Sequence, residues 1–184
     1  NRYFVPWLNE AVRLLEEDVA DIATIEAAAK KAFGVGMGPF ELMNVTGVPI
    51  ALHSANTLGQ AFGPMYAPAA KLRAQVESGA LWPLDGAADE TKLDAVSERL
   101  LAVIFLVAGQ LADEKVGSIE DTDIGARVGL RWPRGPFELM NRMGTDKAVA
   151  LVAPFAARWS MPVPASLAAK AAAKQPFSFE LVRS

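Results

Sequence analysis

The sequence predicts an all-α fold built from two tandem, duplicated helical domains. The heptapeptide GPFELMN at residues 38–44 returns at residues 135–141, an offset of 97. At that offset residues 1–47 align without a gap with residues 98–144 and share 15 identities, which indicates an internal duplication. Apolar residues recur at helical spacing along most of the chain. Because duplicated halves favour a self-complementary contact, we expect a pseudo-twofold axis to relate the two copies.

The repeated heptapeptide predicts one short helix in each copy. Pro39 and Pro136 suit the first helical position, where a backbone N–H would have no partner in the helix. The glycine before each proline allows a tight turn. Gly47 and Gly144 are expected to end these helices in the left-handed conformation.

The other helices follow from apolar spacing and from capping residues. Asp21 is typical of a helix N-cap, its counterpart Ser118 is another N-cap type, and Gly34 is expected to end the second helix. We assign copy one to 1–79, a linker to 80–89, copy two to 90–160 and a tail to 161–184. Besides the two heptapeptide helices, helices are predicted at 1–17, 21–33, 49–61, 68–78, 90–114, 118–128, 146–158 and 165–174.

Composition limits the classes of function. The net charge is −3, and no stripe of Lys and Arg suggests a nucleic-acid partner. The sequence has no cysteine, which excludes disulfides and thiolate metal sites. Its longest apolar run, residues 100–108, is too short to span a bilayer, so we expect a cytoplasmic protein. The chain begins at Asn1 without Met, and we expect it to be a fragment of a longer protein.

Residues 177–182 (FSFELV) alternate like a β-strand that has no partner in the chain. We therefore expect this segment to be irregular here. It follows the stretch WSMPVP at 159–164, and together these residues suggest that another module comes next.

Copy one carries a set of motifs that resembles a known family. The set comprises Asn1-Arg2, then Asn9-Glu10-Ala11, Glu26, the run GVGMGPFEL at residues 34–42, and Gly47. It resembles the C-terminal helical domain of L-3-hydroxyacyl-CoA dehydrogenases of fatty-acid β-oxidation. The resemblance covers copy one to about Leu72 and copy two more weakly. Two tandem copies are similar to the long multifunctional members, in which the dehydrogenase is fused to an enoyl-CoA hydratase, whereas short members pair single copies in a homodimer.

The resemblance implies a reaction in which NAD oxidises the 3-hydroxyl of an acyl-CoA to a ketone. In the family, the Rossmann domain that binds NAD and the catalytic His–Glu pair both precede the Asn-Arg pair. The run Gly34-Val35-Gly36-Met37-Gly38 is not the dinucleotide fingerprint, because its spacing is wrong. We therefore expect this chain to bind no NAD by itself and to be inactive alone. The implied partners are acyl-CoA, the Rossmann domain of the same parent chain and a following enoyl-CoA hydratase domain.

The resemblance also implies site residues. Asn1 corresponds to the family's catalytic asparagine, whose amide hydrogen-bonds the substrate near its reacting carbon; the alternative is that Asn1 caps the first helix. Met37, Pro39 and Phe40 are candidates for the acyl-binding groove, and core packing is their alternative. Glu98 stands at the position of Asn1 in copy two, so copy two is expected to be structural.

Other polar residues receive structural interpretations. His53 has no carboxylate three or four residues away to orient it and is expected at the surface. Glu41 and Glu138 lie where a carboxylate stabilises a helix N-terminus. The acidic turn of Glu120, Asp121 and Asp123 is not read as a metal site.

Two other functions remain open on the residues. One is a non-catalytic helical-repeat interaction module, since two degenerate copies with an apolar face would serve that role too. The other is the helical domain of a different hydroxyacid dehydrogenase. The residues that precede Asn1 in the parent protein would distinguish them: a Rossmann unit favours the dehydrogenase, and further helical repeats favour the scaffold.

Overall fold

The computed structural model describes residues 1–179 and contains ten α-helices, two 3-10 turns and no strand within that range. The predicted all-α class is thus confirmed. The chain divides into two compact units, Asn1–Val103 and Ile104–Ser184, and the boundary falls inside a helix. The helices are α1 (Phe4–Glu16), α2 (Ile22–Phe33), α3 (Pro39–Thr46), α4 (Val48–Phe62), α5 (Ala70–Ser78), α6 (Leu93–Asp113), α7 (Ile119–Gly129), α8 (Pro136–Met143), α9 (Thr145–Arg158) and α10 (Ala165–Ala172). The 3-10 turns are Pro64–Tyr66 and Glu90–Lys92.

Helix α1 is the centre of the first unit, where it contacts α2, α3, α4 and α5. Trp7, Ala11 and Leu14 are fully buried on it. The Trp7 ring meets the ring of Phe33, at the end of α2, edge to face with centroids 5.6 Å apart, a favourable aromatic geometry. In the second unit α8 contacts α7 and α9, and α10 packs on α9.

The two heptapeptide helices begin at Pro39 and Pro136 as predicted. Their ends differ from the expectation. Gly47 and Gly144 have φ of 110° and 98°, with ψ of 115° and 130°, so neither adopts the left-handed helical conformation. Each glycine does end its short helix, as predicted, and also serves as the N-cap of the next helix. The turn must open directly into a new helix, and only glycine takes this positive φ without strain.

The duplication preserves backbone conformation even where the letters differ. Asp18 and Lys115, which are equivalent at the 97-residue offset, both have φ of 54°. Gly34 ends α2 in the left-handed conformation with φ of 67°, as predicted, and its counterpart Arg131 has φ of 56°. Both copies therefore make the same turns, although copy two makes the second one without glycine.

Capping residues at helix starts are also preserved. Asp21 accepts a hydrogen bond from the Thr24 backbone N–H at 2.8 Å, and Ser118 accepts one from the Asp121 N–H at 3.0 Å. Both predicted N-caps are thus confirmed. Each satisfies one of the backbone donors that a helix start leaves without a partner in the helix.

A second pair of carboxylates caps later helices. Glu16 Oε2 accepts from the Lys71 N–H at 2.8 Å, near the start of α5. Its counterpart Asp113 accepts from the N–H groups of Ala165 and Ser166, at 2.6 and 2.9 Å, at the start of α10. In each copy, a carboxylate in the last turn of the first helix (α1 or α6) thus caps the start of the fifth helix (α5 or α10).

Helix α6 lies within the predicted range of 90–114, and its apolar part extends beyond residues 100–108. The stretch Glu90–Asp113 has 24 residues and contains an 18-residue apolar window with a mean hydropathy of 1.6, enough by length and composition to cross a membrane. The expectation that no segment is long enough to span a bilayer was based on residues 100–108 alone, which is too short a stretch. However, 67% of its apolar window is buried inside the protein. Core helices of soluble proteins pass the same test, so a single such helix is weak evidence for a span.

The tail agrees with the expected irregular segment as far as the structure describes it. Residues 177–179 are irregular, and residues 180–182 of the expected strand lie outside the described range. Phe177 is 3% exposed and meets the Phe137 ring edge to face at 4.8 Å. Its apolar character is thus explained within its own unit, and a following hydratase module stays a prediction.

Candidate functional site

A buried carboxylate lies beneath the heptapeptide helix of copy one. Glu26, on α2, is 7% exposed. Its Oε1 accepts from the N–H of Phe40 at 2.6 Å and from the N–H of Glu41 at 3.4 Å. Within the part of the chain that the structure describes, Oε2 is buried and accepts no hydrogen bond. The side chain therefore caps α3 with one oxygen, where the helix dipole favours negative charge.

Copy two has the same arrangement with a shorter side chain. Asp123, the counterpart of Glu26, is 2% exposed. Its Oδ1 accepts from the Phe137 N–H and its Oδ2 from the Glu138 N–H, both at 2.9 Å. Each oxygen thus has its own donor at the start of α8.

Burial raises the pKa of both carboxyl groups above the ordinary value. Removal from water is the largest cause, because it disfavours the charged form. The backbone hydrogen bonds oppose it, since they stabilise the carboxylate. The nearby charges of Glu41 and Glu138 raise the pKa of Glu26 and of Asp123 further, and both carboxyl groups serve to hold helix ends.

These carboxylates explain the glycine of the heptapeptide. A Cβ on Gly38 would lie 2.4 Å from Glu26 Oε2, and one on Gly135 would lie 2.2 Å from Asp123 Cγ. Both glycines have extended backbone, with φ near −80°. The lack of a side chain is therefore needed for the close approach of the carboxylate, whereas the sequence had suggested a tight turn.

The asparagine that ends each heptapeptide holds a distant segment. Asn44 Nδ2 donates to the Trp82 carbonyl at 2.9 Å, and Asn44 Oδ1 accepts from the Trp82 N–H at 2.8 Å. Asn141 makes the same pair of bonds to Phe177, at 2.9 and 2.7 Å. Trp82 also meets the Phe40 ring edge to face at 5.0 Å. Each heptapeptide thus binds the segment that follows the last helix of its copy.

The predicted catalytic residue Asn1 is exposed, just before α1. Its backbone carbonyl accepts from the Val5 N–H at 2.9 Å. The N-cap of α1 is Tyr3, whose side chain makes no capping hydrogen bond. The alternative role of Asn1 as a side-chain cap is therefore not what this structure shows.

The residues proposed for the acyl groove do not lie together at the surface. Pro39 and Phe40 are buried, and Phe40 packs in the core. Met37 is 39% exposed. In this conformation core packing is the role the structure shows for Pro39 and Phe40, and of the three only Met37 is open to solvent.

The other polar residues of the sequence analysis have surface positions. His53 is exposed. Glu41 pairs with Lys30 at 3.2 Å in the first turn of α3. Glu98 is exposed in the second turn of α6, beyond the reach of an N-terminal dipole. No group of three or more acidic or histidine side chains within residues 1–179 could hold a metal ion.

A buried polar clamp on α1 was not anticipated from the sequence. Asn9 Nδ2 donates to the Ala67 carbonyl and Asn9 Oδ1 accepts from the Ala69 N–H, both at 2.8 Å. Arg13 donates to the carbonyls of Met65 at 2.9 Å and Ala67 at 2.6 Å. The two side chains together fix the backbone between α4 and α5.

Charges extend this clamp to the start of α6. Glu10 is fully buried and pairs with Arg13 at 3.1 Å and with Arg99 at 2.6 Å. Arg99 also pairs with Glu17. A buried carboxylate between two guanidinium groups is a compensated charge, and removal of one partner would be costly.

Sequence reasoning missed these contacts, although signals for some of them were present. The acid at positions 26 and 123 and the asparagine at 44 and 141 recur at the repeat offset, which marks them as shared features. The residues of the polar clamp on α1 do not recur at the repeat offset. At its positions copy two has Leu106, Val107 and Gln110.

Comparison with known proteins gives two results. The family model of the 3-hydroxyacyl-CoA dehydrogenase C-terminal domain matches residues 1–84 and again residues 96–177. A crystal structure of 3-hydroxybutyryl-CoA dehydrogenase from Escherichia coli K12 has a similar fold, with a TM-score of 0.79 and 16% sequence identity. The match covers 95% of this chain and 59% of that one, and at this identity the likeness shows the fold alone. Since the family match takes in most of the residues, the chain belongs to the 3-hydroxyacyl-CoA dehydrogenase C-terminal domain family, with two copies of the domain in tandem.

Proposed function

We propose that this chain is the helical, substrate-binding region of an NAD-dependent L-3-hydroxyacyl-CoA dehydrogenase. The observation that carries the proposal is Asn1, which lies exposed just before α1 in the first segment that matches the family. In the family reaction a 3-hydroxyacyl-CoA is oxidised to a 3-ketoacyl-CoA. The acyl-CoA is then the substrate, and a Rossmann domain in the same parent chain is the partner that holds NAD.

The chemistry of an amide suits the role proposed for Asn1. When a hydride leaves C3 of the substrate for NAD and a base takes the hydroxyl proton, a carbonyl forms at C3. The NH₂ of Asn1 donates a hydrogen bond to that oxygen without titrating. A donor aimed at charge that develops in the transition state lowers the barrier because it is already oriented.

Copy two is proposed to be structural, as a built-in replacement for the second subunit of a dimer. Its residue at the Asn1 position is Glu98, which carries no donor. It keeps the helix-capping contacts of Asp113 and Asp123 and the contact of Asn141 with the segment at Phe177. Copy two thus keeps the contacts that support its helices and has lost the amide proposed for catalysis.

Steady-state kinetics on the full-length enzyme test this proposal, with a short-chain 3-ketoacyl-CoA and NADH. Loss of one donor to a developing oxyanion is worth roughly 10²–10³ in rate. We therefore expect Asn1→Ala to lower kcat/KM by that factor with little change in Tm, because the residue is exposed. The matched control is Glu98→Ala, which should leave the rate within about twofold, since it removes no substrate contact. Equal losses would refute the division into a catalytic and a structural copy, and no loss for Asn1→Ala would remove Asn1 from the site.

A further inference from the structure

The residue after Asn1 makes a contact that ties this end of the chain to another helix. The guanidinium carbon of Arg2 lies 4.1 Å from the centroid of the Phe62 ring, within the range of a cation–π contact. Phe62 is the last residue of α4 and is 45% exposed. The entry to α1 is therefore held against the end of α4.

The Phe62 ring packs in turn on a buried tyrosine. Its ring lies against the ring of Tyr66, with centroids 5.4 Å apart, and Tyr66 is 1% exposed. Tyr66 belongs to the 3-10 turn whose backbone carbonyls accept from Arg13. A continuous set of contacts thus leads from Arg13 through Tyr66 and Phe62 to Arg2, next to Asn1.

Copy two has other side chains at these positions. The residues at the positions of Arg13 and Phe62 are Gln110 and Trp159. Arg158 lies over the Trp159 ring at 5.5 Å, but the two are neighbours in sequence and so join no separate elements. Arg99, at the position of Arg2, pairs with Glu10 and Glu17. Because Arg99 is paired with carboxylates, copy two forms its helices without the arginine–aromatic contact that Arg2 makes, and folding alone does not account for that contact in copy one.

We propose that Arg2, Phe62 and Tyr66 are positioning residues that hold Asn1 in its reactive orientation. This inference rests on the function proposed above for Asn1. None of the three is proposed to touch the reacting atoms. They would act on Asn1 through the backbone of residues 1–5. Misplacement of a catalytic group by about 1 Å can lower a rate by as much as 10², so support for a terminal residue has a measurable consequence.

A double-mutant cycle on the full-length enzyme tests the inference, with 3-ketoacyl-CoA and NADH as substrates. Phe62→Leu removes the ring that Arg2 contacts, and we expect kcat to fall about tenfold with KM and Tm almost unchanged. Phe62→Tyr keeps the ring and should retain the rate within about twofold. Ile50→Ala, at a residue 63% exposed in the same unit, is the control for loss of a surface apolar group and should retain the full rate.

The cycle is completed in an Asn1→Ala background. There Phe62→Leu should lower kcat no further, because the residue that it positions is gone. An equal loss in both backgrounds would overturn the inference. A rate that Phe62→Leu leaves unchanged, although Asn1→Ala alone lowers it, would also overturn the inference but would leave the proposed function standing. If Asn1→Ala alone has no effect, both the proposed site and its positioning fail. If Phe62→Leu does not fold, Arg2→Gln replaces it in the cycle. This variant removes the cation from the same contact and should show the same loss of kcat.

Discussion

The two copies differ most in the first helix and least at the helix ends. In both, an acid on the second helix caps the third and an asparagine of the heptapeptide binds the following segment. In both, an acid that ends the first helix caps the fifth. Duplication has thus preserved the contacts that satisfy backbone donors and acceptors, whose loss is costly in a buried setting.

The first helices have diverged in the opposite way. Helix α1 buries Asn9, Glu10 and Arg13, whereas α6 has Leu106 and Val107 buried at the first two of these positions. A polar network of this kind fixes geometry more than it adds stability. Under the proposed function, such a network suits copy one, which would hold Asn1 in one orientation, and an apolar helix is sufficient for copy two.

The largest difference between the copies should appear when a methyl group is added to the heptapeptide glycine. The Cβ of Gly135→Ala would lie 2.4 Å from the backbone Cα of Asp123, which cannot move away alone. For Gly38→Ala the three nearest atoms all belong to the end of the Glu26 side chain. We expect a loss of unfolding free energy of about 3 kcal/mol for Gly135→Ala and about 1 kcal/mol for Gly38→Ala, measured by urea denaturation.

Two other glycines serve as controls for that comparison. A Cβ on Gly36 or Gly129 would meet no atom within 4 Å, and neither has positive φ. Gly36→Ala and Gly129→Ala should therefore be close to neutral. If Gly38→Ala proves as destabilising as Gly135→Ala, the carboxylate of Glu26 is held as rigidly as the backbone of Asp123.

A smaller and nearly equal effect is expected for the asparagines of the heptapeptides. Asn44→Ala leaves the N–H and carbonyl of buried Trp82 without their partner, and Asn141→Ala does the same for Phe177. Each should lower the unfolding free energy by about 1–3 kcal/mol. Hydrogen exchange should report faster exchange at the Trp82 or Phe177 amide. A clearly smaller loss in one copy would show that its segment is held mainly by the aromatic contact.

Sequence reasoning recovered the repeated helices of this molecule and missed the side-chain contacts that hold them together. The 97-residue offset and the helical spacing predicted α3 and α8 to the residue at both start points, because proline and glycine leave strong local signals. The function of Gly38 was misassigned, since its cause is Glu26, twelve residues away and close only after folding. The clamp of Asn9 and Arg13 could not be predicted because its acceptors are backbone carbonyls more than fifty residues away, and carbonyls have no sequence signature.

The smallest expected difference concerns the pH dependence of the two buried carboxyls. Burial raises the pKa of Glu26 and of Asp123 in the folded protein, so the folded state binds their protons more tightly than the unfolded state does. Their contribution to stability is therefore present below the ordinary pKa and is lost as pH rises through the raised pKa.

Substitution by amides should separate the two sites. The amide side chains of Glu26→Gln and Asp123→Asn do not titrate. Each variant should therefore lose less unfolding free energy than the wild type as pH rises, by the amount that the replaced carboxyl group contributes. This amount should be larger for Glu26, because its ionised form has a buried Oε2 with no donor in the described structure, whereas both oxygens of Asp123 accept backbone N–H groups. Asp123→Asn should instead be destabilised at every pH by about 1 kcal/mol, since its NH₂ must face one of those N–H groups. Urea denaturation from pH 4 to pH 8 measures both effects, and equal pH slopes in the two variants would contradict the assignment of Oε2 as the source of the difference.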